Sequence, residues 1–269
     1  MNIIRLLIIL CILLTIIILS TIFTVGQNFK IKNKTTLHVV TVITDIKNIN
    51  YKRLLNSAKL NGIDITSLIS KTPIGHIDGF GMKIKLVKEF IYDKNDNDII
   101  LFVDGYDVLF TGTKDEIIKK YKILEMQNGK CIVFSSENVC WPDSTLSDKY
   151  PKFEDTQYKY LNSGTYIGSV KTFKDILSKS LYNITDTDLK KMDDQLFFTN
   201  LYLANSSKKI IVLDHYNTIF NCISGREGDL EYHSLEKKWY NKNTQTYPLI
   251  FHGNGDSIKF LVDKIYPTI

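Results

Sequence analysis

Short apolar runs rich in β-branched residues alternate with amphipathic segments through most of the chain, and this alternation restricts the fold more than any other feature. LHVVTVIT (Leu37–Thr44) is apolar almost throughout, as in a strand buried on both faces. A helical stretch follows around Tyr51–Leu60 and stops at Asn61-Gly62, before a second strand at Ile63–Ile69. The apolar spacing of Gly81–Ile91 predicts an amphipathic helix, and DIILFVD (Asp98–Asp104) a third buried strand. Thr113 with Glu116 makes a capping box for a helix running to about Met126. CIVFSS (Cys131–Ser136) reads as a fourth strand. Helices are expected near Thr172–Ser180 and Asp194–Leu203, with a strand at Ile210–Asp214. Alternating strands and helices predict an α/β fold with a mostly parallel sheet flanked by helices.

The N-terminus is of another kind. Leu6 to Phe23 is LLIILCILLTIIILSTIF, uncharged and close to the ~20 apolar residues that cross a bilayer. It is longer than the ~7–15 apolar residues of a cleavable signal, and Thr24-Val25-Gly26 is a poor cleavage site. The expected organisation is a signal anchor or transmembrane helix over 1–26, a Lys-rich stem over 27–36 and a catalytic domain over 37–269. Lys30, Lys32 and Lys34 nearly balance Arg5 and the amino terminus, so orientation is weakly set. Sequons at Asn33, Asn183 and Asn205 fit a catalytic part in the lumen of the ER or Golgi, secreted if the apolar segment is cleaved.

The net charge of +5 is spread along the chain, with no basic, aromatic-interleaved stripe, which argues against a nucleic-acid partner. Cys131, Cys140 and Cys222 lie outside the apolar run and form no CxxC pair, which excludes a zinc knuckle. One disulfide with a leftover thiol and three reduced cysteines are both compatible with this. Oligomeric state is left open, a homo-oligomer included.

Chemistry concentrates where strands end, because open α/β sheets bind ligands beyond the carboxyl ends of their strands. LFVDGYDVLF (Leu101–Phe110) places Asp104 at such an end and Asp107 beyond a turn that Gly105 permits. Two carboxylates held together suit Mg²⁺ or Mn²⁺. Spacing alone reads slightly better as a turn with Asp capping backbone amides. Four further segments shift that balance. ENVCWP (Glu137–Pro142) sets Trp141 on a loop after the fourth strand, where an aromatic can cover a sugar. LNSGTYIG (Leu161–Gly168) reads as a small polar turn between apolar flanks. MDDQLFFTNLYL (Met192–Leu203) opens a helix with Asp193 and Asp194. FHGNG (Phe251–Gly255) offers His252 as a third metal ligand, with backbone amides beside it for phosphate.

Together with VTVIT, GFGMK and LDHYNTIFN, these segments form an ordered set from Leu37 nearly to the C-terminus. The set resembles the N-terminal glycosyltransferase domain of the procollagen lysyl hydroxylases and, more loosely, the procollagen galactosyl- and glucosyltransferases. The resemblance implies a GT-A-type, Rossmann-like fold and a UDP-sugar donor, UDP-glucose or UDP-galactose. It implies Mn²⁺ on Asp104, Asp107 and His252, and a uridine pocket lined by Val42, Ile43 and Thr44. Tyr106, beside Gly105, would stack on the base. Lys83, Trp141, Asn162, Asp193 and Asp194 would face the sugar and acceptor. The loop of Gly255, Asp256, Ser257 and Ile258 would lie against the diphosphate, and Lys259 sits one place later than the family's lysine. SSE at Ser135–Glu137 and IFN at Asn221 depart from the family's SAE and IFQ, and neither touches the metal triad.

The implied reaction moves glucose or galactose to a hydroxyl, on hydroxylysine or galactosyl-hydroxylysine of a collagen-like protein. The alternative is a non-catalytic GT-A-like module that binds UDP-sugar and metal. A metal-dependent hydrolase lacks a second carboxylate/His cluster. The chain ends where such a transferase domain ends, so no hydroxylase part is expected. His76-Ile77-Asp78 has the H-x-D form of an iron site but no jelly-roll sequence after it. Asp93–Asp98 reads as a solvated turn rather than an EF-hand loop, because Asp98 stands where glycine is required.

Overall fold

A six-stranded sheet in the order β2-β1-β3-β6-β5-β7 organises the computed structural model, which describes residues 35–74 and 79–269. Its strands are β1 (Leu37–Ile43), β2 (Ile65–Ile69), β3 (Ile99–Val103), β5 (Ile132–Glu137), β6 (Tyr160–Ser169) and β7 (Ile211–Leu213). Strands β1, β2 and β3 run parallel to one another, as do β5 and β7, and β6 runs antiparallel to both β3 and β5. The sheet is therefore mostly parallel, with one reversed strand near its centre.

That reversed strand corrects the reading of LNSGTYIG as a turn. All of Leu161–Gly168 lies within β6, the longest strand, and its small polar residues are buried. They are small because the site packs directly on them. A Cβ at Gly164 would stand 2.2 Å from the His252 ring.

Helices cover both faces. On one side α2 (Gly81–Ile91), α4 (Val170–Ser180), α5 (Asp186–Lys191) and α6 (Asp194–Ala204) bury Ile84, Val87, Phe173, Leu189 and Phe198 against Val40, Phe102, Phe134 and Tyr166. On the other, α1 (Ile49–Leu60) and α3 (Lys114–Asn128) bury Leu54, Ile117 and Tyr121 against Val39, Leu101, Val103 and Ile167. Alternate residues of each strand thus serve opposite cores, as the two-residue period of a strand requires. The helix starts follow local chemistry. Asn48 caps α1, and Thr113–Glu116 and Thr185–Asp188 form capping boxes on α3 and α5.

A second sheet, in the order β4-β11-β8, consists of Val108–Phe110, Ile250–His252 and Phe220–Cys222. Strands this short carry too little periodicity to be read from sequence. The hairpin of β9 (Leu230–His233) and β10 (Lys238–Asn241) packs Trp239 into a third cluster with Phe251 and Leu261.

Residues Leu37–Ile269 pack as one unit. The apolar segment 6–23, most of the stem, Asn33 and His76-Ile77-Asp78 lie outside the described residues. Among those described, no helix is long and apolar enough to cross a membrane. Cys131, Cys140 and Cys222 are all buried and unpaired, so the disulfide alternative falls away. The Asp93–Asp98 turn is knit by ion pairs, Asp93 with Lys94 at 2.6 Å and Asp96 with Lys174 at 2.9 Å.

Candidate active site

Asp104 follows β3 directly, and its amide donates to Gly164 O at 2.8 Å, which fixes where the strand hands over to the turn. Gly105 comes next. Its φ is not in the left-handed region, so the turn does not need glycine for backbone freedom. Glycine is needed because a Cβ there would stand 2.5 Å from Ile43 Cγ2. The chain then enters β4, and the β4–β11 register sets His252 opposite Val108, one residue past Asp107. Gly253 N donates to Asp107 O at 2.8 Å and locks that register.

The outcome is a triad. One ligand atom each from Asp104, Asp107 and His252 lies within 4.8 Å of the others. His252 Nε2 is 3.2 Å from Asp107 Oδ2, while its Nδ1–H donates to Asn162 Oδ1 at 3.0 Å. A carbonyl oxygen on Nδ1 leaves Nε2 as the coordinating nitrogen, the usual outer support of a metal-bound imidazole. Two carboxylates and one imidazole fit a hard or borderline divalent cation such as Mg²⁺ or Mn²⁺.

Electrostatics around the triad are strongly perturbed. Burial raises the Asp104 carboxyl; Lys83 opposes this and Asp107 adds to it, leaving the group at about 6. Burial would raise Asp107 too, but the His252 ring overrides that and holds it below the usual carboxylate range. Burial would lower His252, and Asp107 reverses this to hold the ring well above its ordinary value. Lys83 behaves alike. Desolvation disfavours its charge, yet Asp104 at 3.0 Å and Asp194 at 2.9 Å keep the ammonium firmly protonated. The imidazolium and the ammonium thus balance the gathered carboxylates.

Two cavities meet at these groups. The larger, about 430 Å³, is lined by Lys83, Asp104, Asp107, Trp141, Asn162, Asp193, Asp194, His252 and Gly255, among others. The smaller, about 170 Å³, is lined by Val42, Thr44, Gly105 and Tyr106, and shares Phe80, Lys83, Asp104 and Asp107 with the larger. The sequence-derived groups therefore divide into two adjoining chambers, with Asp104 and Asp107 lining both and His252 the larger.

Not every expected residue reaches them. Ile43 points into the opposite core with Val39 and Leu101 and supports Gly105 from behind, so its side chain does not line the smaller cavity. The Tyr106 hydroxyl accepts the amides of Thr44 and Asp45, each at 2.7 Å, which pins the ring across the end of β1. Of the loop 255–258, only Gly255 lines the larger cavity. Ser257 is buried with its hydroxyl on Glu227, and Asp256 is exposed. Lys259 is exposed and ion-paired with Asp263.

The two acids of DDQ separate in function. Asp193 caps α6, accepting Leu196 N at 2.8 Å, and burial raises its carboxyl. Asp194 is buried beneath Lys83 and accepts from Ser163 Oγ at 3.1 Å. Trp141 is 62% exposed at the cavity rim, as a platform for a ligand would be.

Glu137, Gln195 and Asn254 were not singled out from sequence. Glu137 accepts from Asn162 Nδ2 at 3.1 Å, Gln195 Nε2 at 2.7 Å and Asn254 Nδ2 at 2.8 Å. Burial raises its carboxyl. Gln195 Nε2 also donates to Trp141 O at 3.0 Å. One buried acid thus ties the His252 support, the Trp141 loop and the 255 loop together. The available signal was Glu137 in the same short block as Trp141, and Gln195 directly after the two acids.

Comparison with known proteins identifies the family. Residues 33–265 match the family described as the PLOD GT domain. The chain is 34% identical over 231 residues to the procollagen-lysine,2-oxoglutarate 5-dioxygenase of Drosophila melanogaster, covering 81% of this chain and 30% of that protein. It is 32% identical over 234 residues to the human multifunctional procollagen lysine hydroxylase and glycosyltransferase LH3, covering 83% of this chain and 30% of the relative. The chain thus spans about 30% of the length of these relatives. Among solved structures, a glycosyltransferase involved in glycosylation of the major capsid of PBCV-1 aligns with a TM-score of 0.50 at 10% identity, over 87% of this chain and 100% of that one. That likeness concerns the fold. The chain belongs to the PLOD GT domain family, and is a glycosyltransferase domain of GT-A-like α/β fold.

Proposed function

We propose that the protein is a Mn²⁺-dependent transferase that moves glucose or galactose from a UDP-sugar to an acceptor hydroxyl. The observation that carries this is the convergence of Asp104, Asp107 and His252 in the larger cavity, with both acids also lining the smaller. A donor spanning the two cavities sets its uracil by Val42, Thr44 and Tyr106 and its sugar by Trp141 and Asn162. A cation held by the triad would neutralise the charge that develops on the departing diphosphate.

In the transfer, the bond from the sugar's anomeric carbon to the phosphate oxygen breaks and UDP leaves with its electron pair. A bond from that carbon to the acceptor oxygen forms, and the hydroxyl proton passes to a base. Asp193 suits the acceptor side, being half-buried at the cavity wall, whereas Asp194 is committed to Lys83 and Ser163. Lys83 holds Asp104 in place and keeps positive charge facing the leaving group.

Family membership supports a collagen-like acceptor, with hydroxylysine or galactosyl-hydroxylysine bearing the hydroxyl. The apolar segment 6–23 supports a membrane anchor with the catalytic part in the ER or Golgi lumen. A screen of UDP release with Mn²⁺ across UDP-sugars, with and without a hydroxylysine-containing collagen peptide, tests the assignment. Peptide-stimulated release from UDP-glucose or UDP-galactose is the expected result. Tight UDP binding with no release from any sugar would make the chain a binding module instead.

A further inference from the structure

Four of the described residues line both cavities, and three of them are the charged groups Lys83, Asp104 and Asp107. The fourth is Phe80, the one apolar side chain that the two cavities share. Phenylalanine is among the residue types most often found in cores. Phe80 is only half-buried, and it belongs to none of the three hydrophobic clusters formed by the described residues. The fold therefore does not use this ring as core.

The backbone nevertheless fixes its position from both sides. Gly79 has a φ of +97°, and a Cβ there would collide with Pro73 O. Its amide donates to Lys190 O at 2.7 Å. On the other side, a Cβ at Gly81 would collide with Leu189 O, and Gly81 N donates to Met192 O at 2.9 Å. The segment GFG thus lays two glycines against α5 and its C-terminal cap, with Phe80 between them, and leads straight into α2. Neither glycine position has room for a side chain, so the residue between them is set before any ligand arrives.

The surroundings of the ring decide what it can hold. Lys83 Nζ stands 5.2 Å from the centre of the Phe80 ring, close enough for the cation to be drawn to the π-system. Lys83 is itself held by Asp104 and Asp194, which ties the ring to the triad. A phenyl ring offers no hydrogen bond to a diphosphate. Uracil has its own wall in Val42, Thr44 and Tyr106. The part of a nucleotide-sugar that suits an apolar ring with a negative face is the pyranose, whose C–H bonds present a flat, weakly positive surface.

We propose that Phe80 is a specificity-determining residue that packs against the hexose of the donor and so distinguishes a UDP-sugar from bare UDP. This role rests on the transferase reading for the identity of the ligand, and adds to it the contact that recognises the sugar rather than the nucleotide. Once the sugar has passed to the acceptor the contact is gone, and UDP is held less tightly than the donor was.

The test is calorimetric titration of the full chain, in the presence of Mn²⁺, with UDP, UDP-glucose and UDP-galactose. Phe80→Ala should weaken binding of the sugar nucleotide about tenfold, the size of loss expected for a contact aromatic, and leave UDP binding within about twofold of wild type. Phe80→Tyr keeps the ring and should retain donor affinity, whereas Phe80→Leu is apolar without a π-face and should lose it. The Tyr and Leu variants make the same comparison if the Ala variant does not fold. Equal loss of UDP and UDP-sugar affinity would overturn the proposal, because Phe80 would then act on the nucleotide or through Lys83. Unchanged affinity for both would overturn it too. A loss confined to the UDP-sugar, in a protein whose wild type binds the donor but transfers no sugar, supports the contact and removes the transferase reading instead.

Discussion

The ammonium of Lys83 lies 3.0 Å from Asp104 Oδ1, so a residue from the first turn of α2 neutralises a triad carboxylate at the end of β3. The same nitrogen bonds Asp194 at 2.9 Å, making one cation the shared partner of two acids from different elements. Lys83→Met leaves Asp194 buried without its counter-charge. Removing one partner of a buried pair costs about 3–5 kcal/mol. Thermal unfolding should show a clearly lower Tm for this variant, and UDP release should fall with it. A surface control, Lys122→Met, should leave both unchanged.

Asn162 supports His252 without touching the cation position. Asn162→Leu removes the acceptor of the Nδ1–H bond and frees the imidazole to rotate. Loss of such outer support typically weakens metal binding by about 10–100-fold. Mn²⁺ titration followed by electron paramagnetic resonance should show that weakening while UDP still binds weakly on its own. Unaltered Mn²⁺ affinity would mean that Asn162 does not orient the ring.

Gly164 lies under the same ring. Gly164→Ala inserts a methyl group 2.2 Å from a His252 carbon, and the neighbour is a constrained ring rather than a flexible chain end. Overpacking of this kind costs about 1–3 kcal/mol. The expected variant is folded by circular dichroism but binds Mn²⁺ poorly.

Metal binding should depend on pH in a defined direction. Asp104 is raised to about 6, so above that pH its carboxylate is ready for a cation, and below it a proton competes. His252 is held well above its ordinary value, so its Nε2 must shed a proton to coordinate. Mn²⁺ affinity should therefore fall steeply as pH drops through 6. At neutral pH, calorimetry in buffers of different ionisation enthalpy should show net proton release on binding. No release would mean that His252 is not a ligand.

Long elements were legible in the sequence because burial imposes a period on many residues at once. The helix Gly81–Ile91 has the expected bounds, and the Thr113–Glu116 capping box forms as its spacing implied. The three-residue strands of the second sheet escaped, since no period can be read from Val108–Phe110 or Phe220–Cys222. The reversed strand escaped for another reason. Asn162, Ser163 and Gly164 have turn-like composition because they pack against Asp194 and His252, and tertiary packing overrode local propensity. Asp104, Asp107 and His252 could be named as candidates from chemistry and resemblance, but their convergence depends on the β4–β11 register. Glu137 was passed over because its importance lies in three amide partners scattered through the chain.

The most direct test of the account is UDP release from UDP-glucose or UDP-galactose, with Mn²⁺ and a collagen-like acceptor, by the wild type and by Asp104→Ala combined with Asp107→Ala. Removing both carboxylates leaves His252 as the triad's only remaining ligand. The double variant should fold, fail to bind Mn²⁺ and release UDP no faster than the uncatalysed background. A folded double variant that releases UDP at the wild-type rate would contradict it.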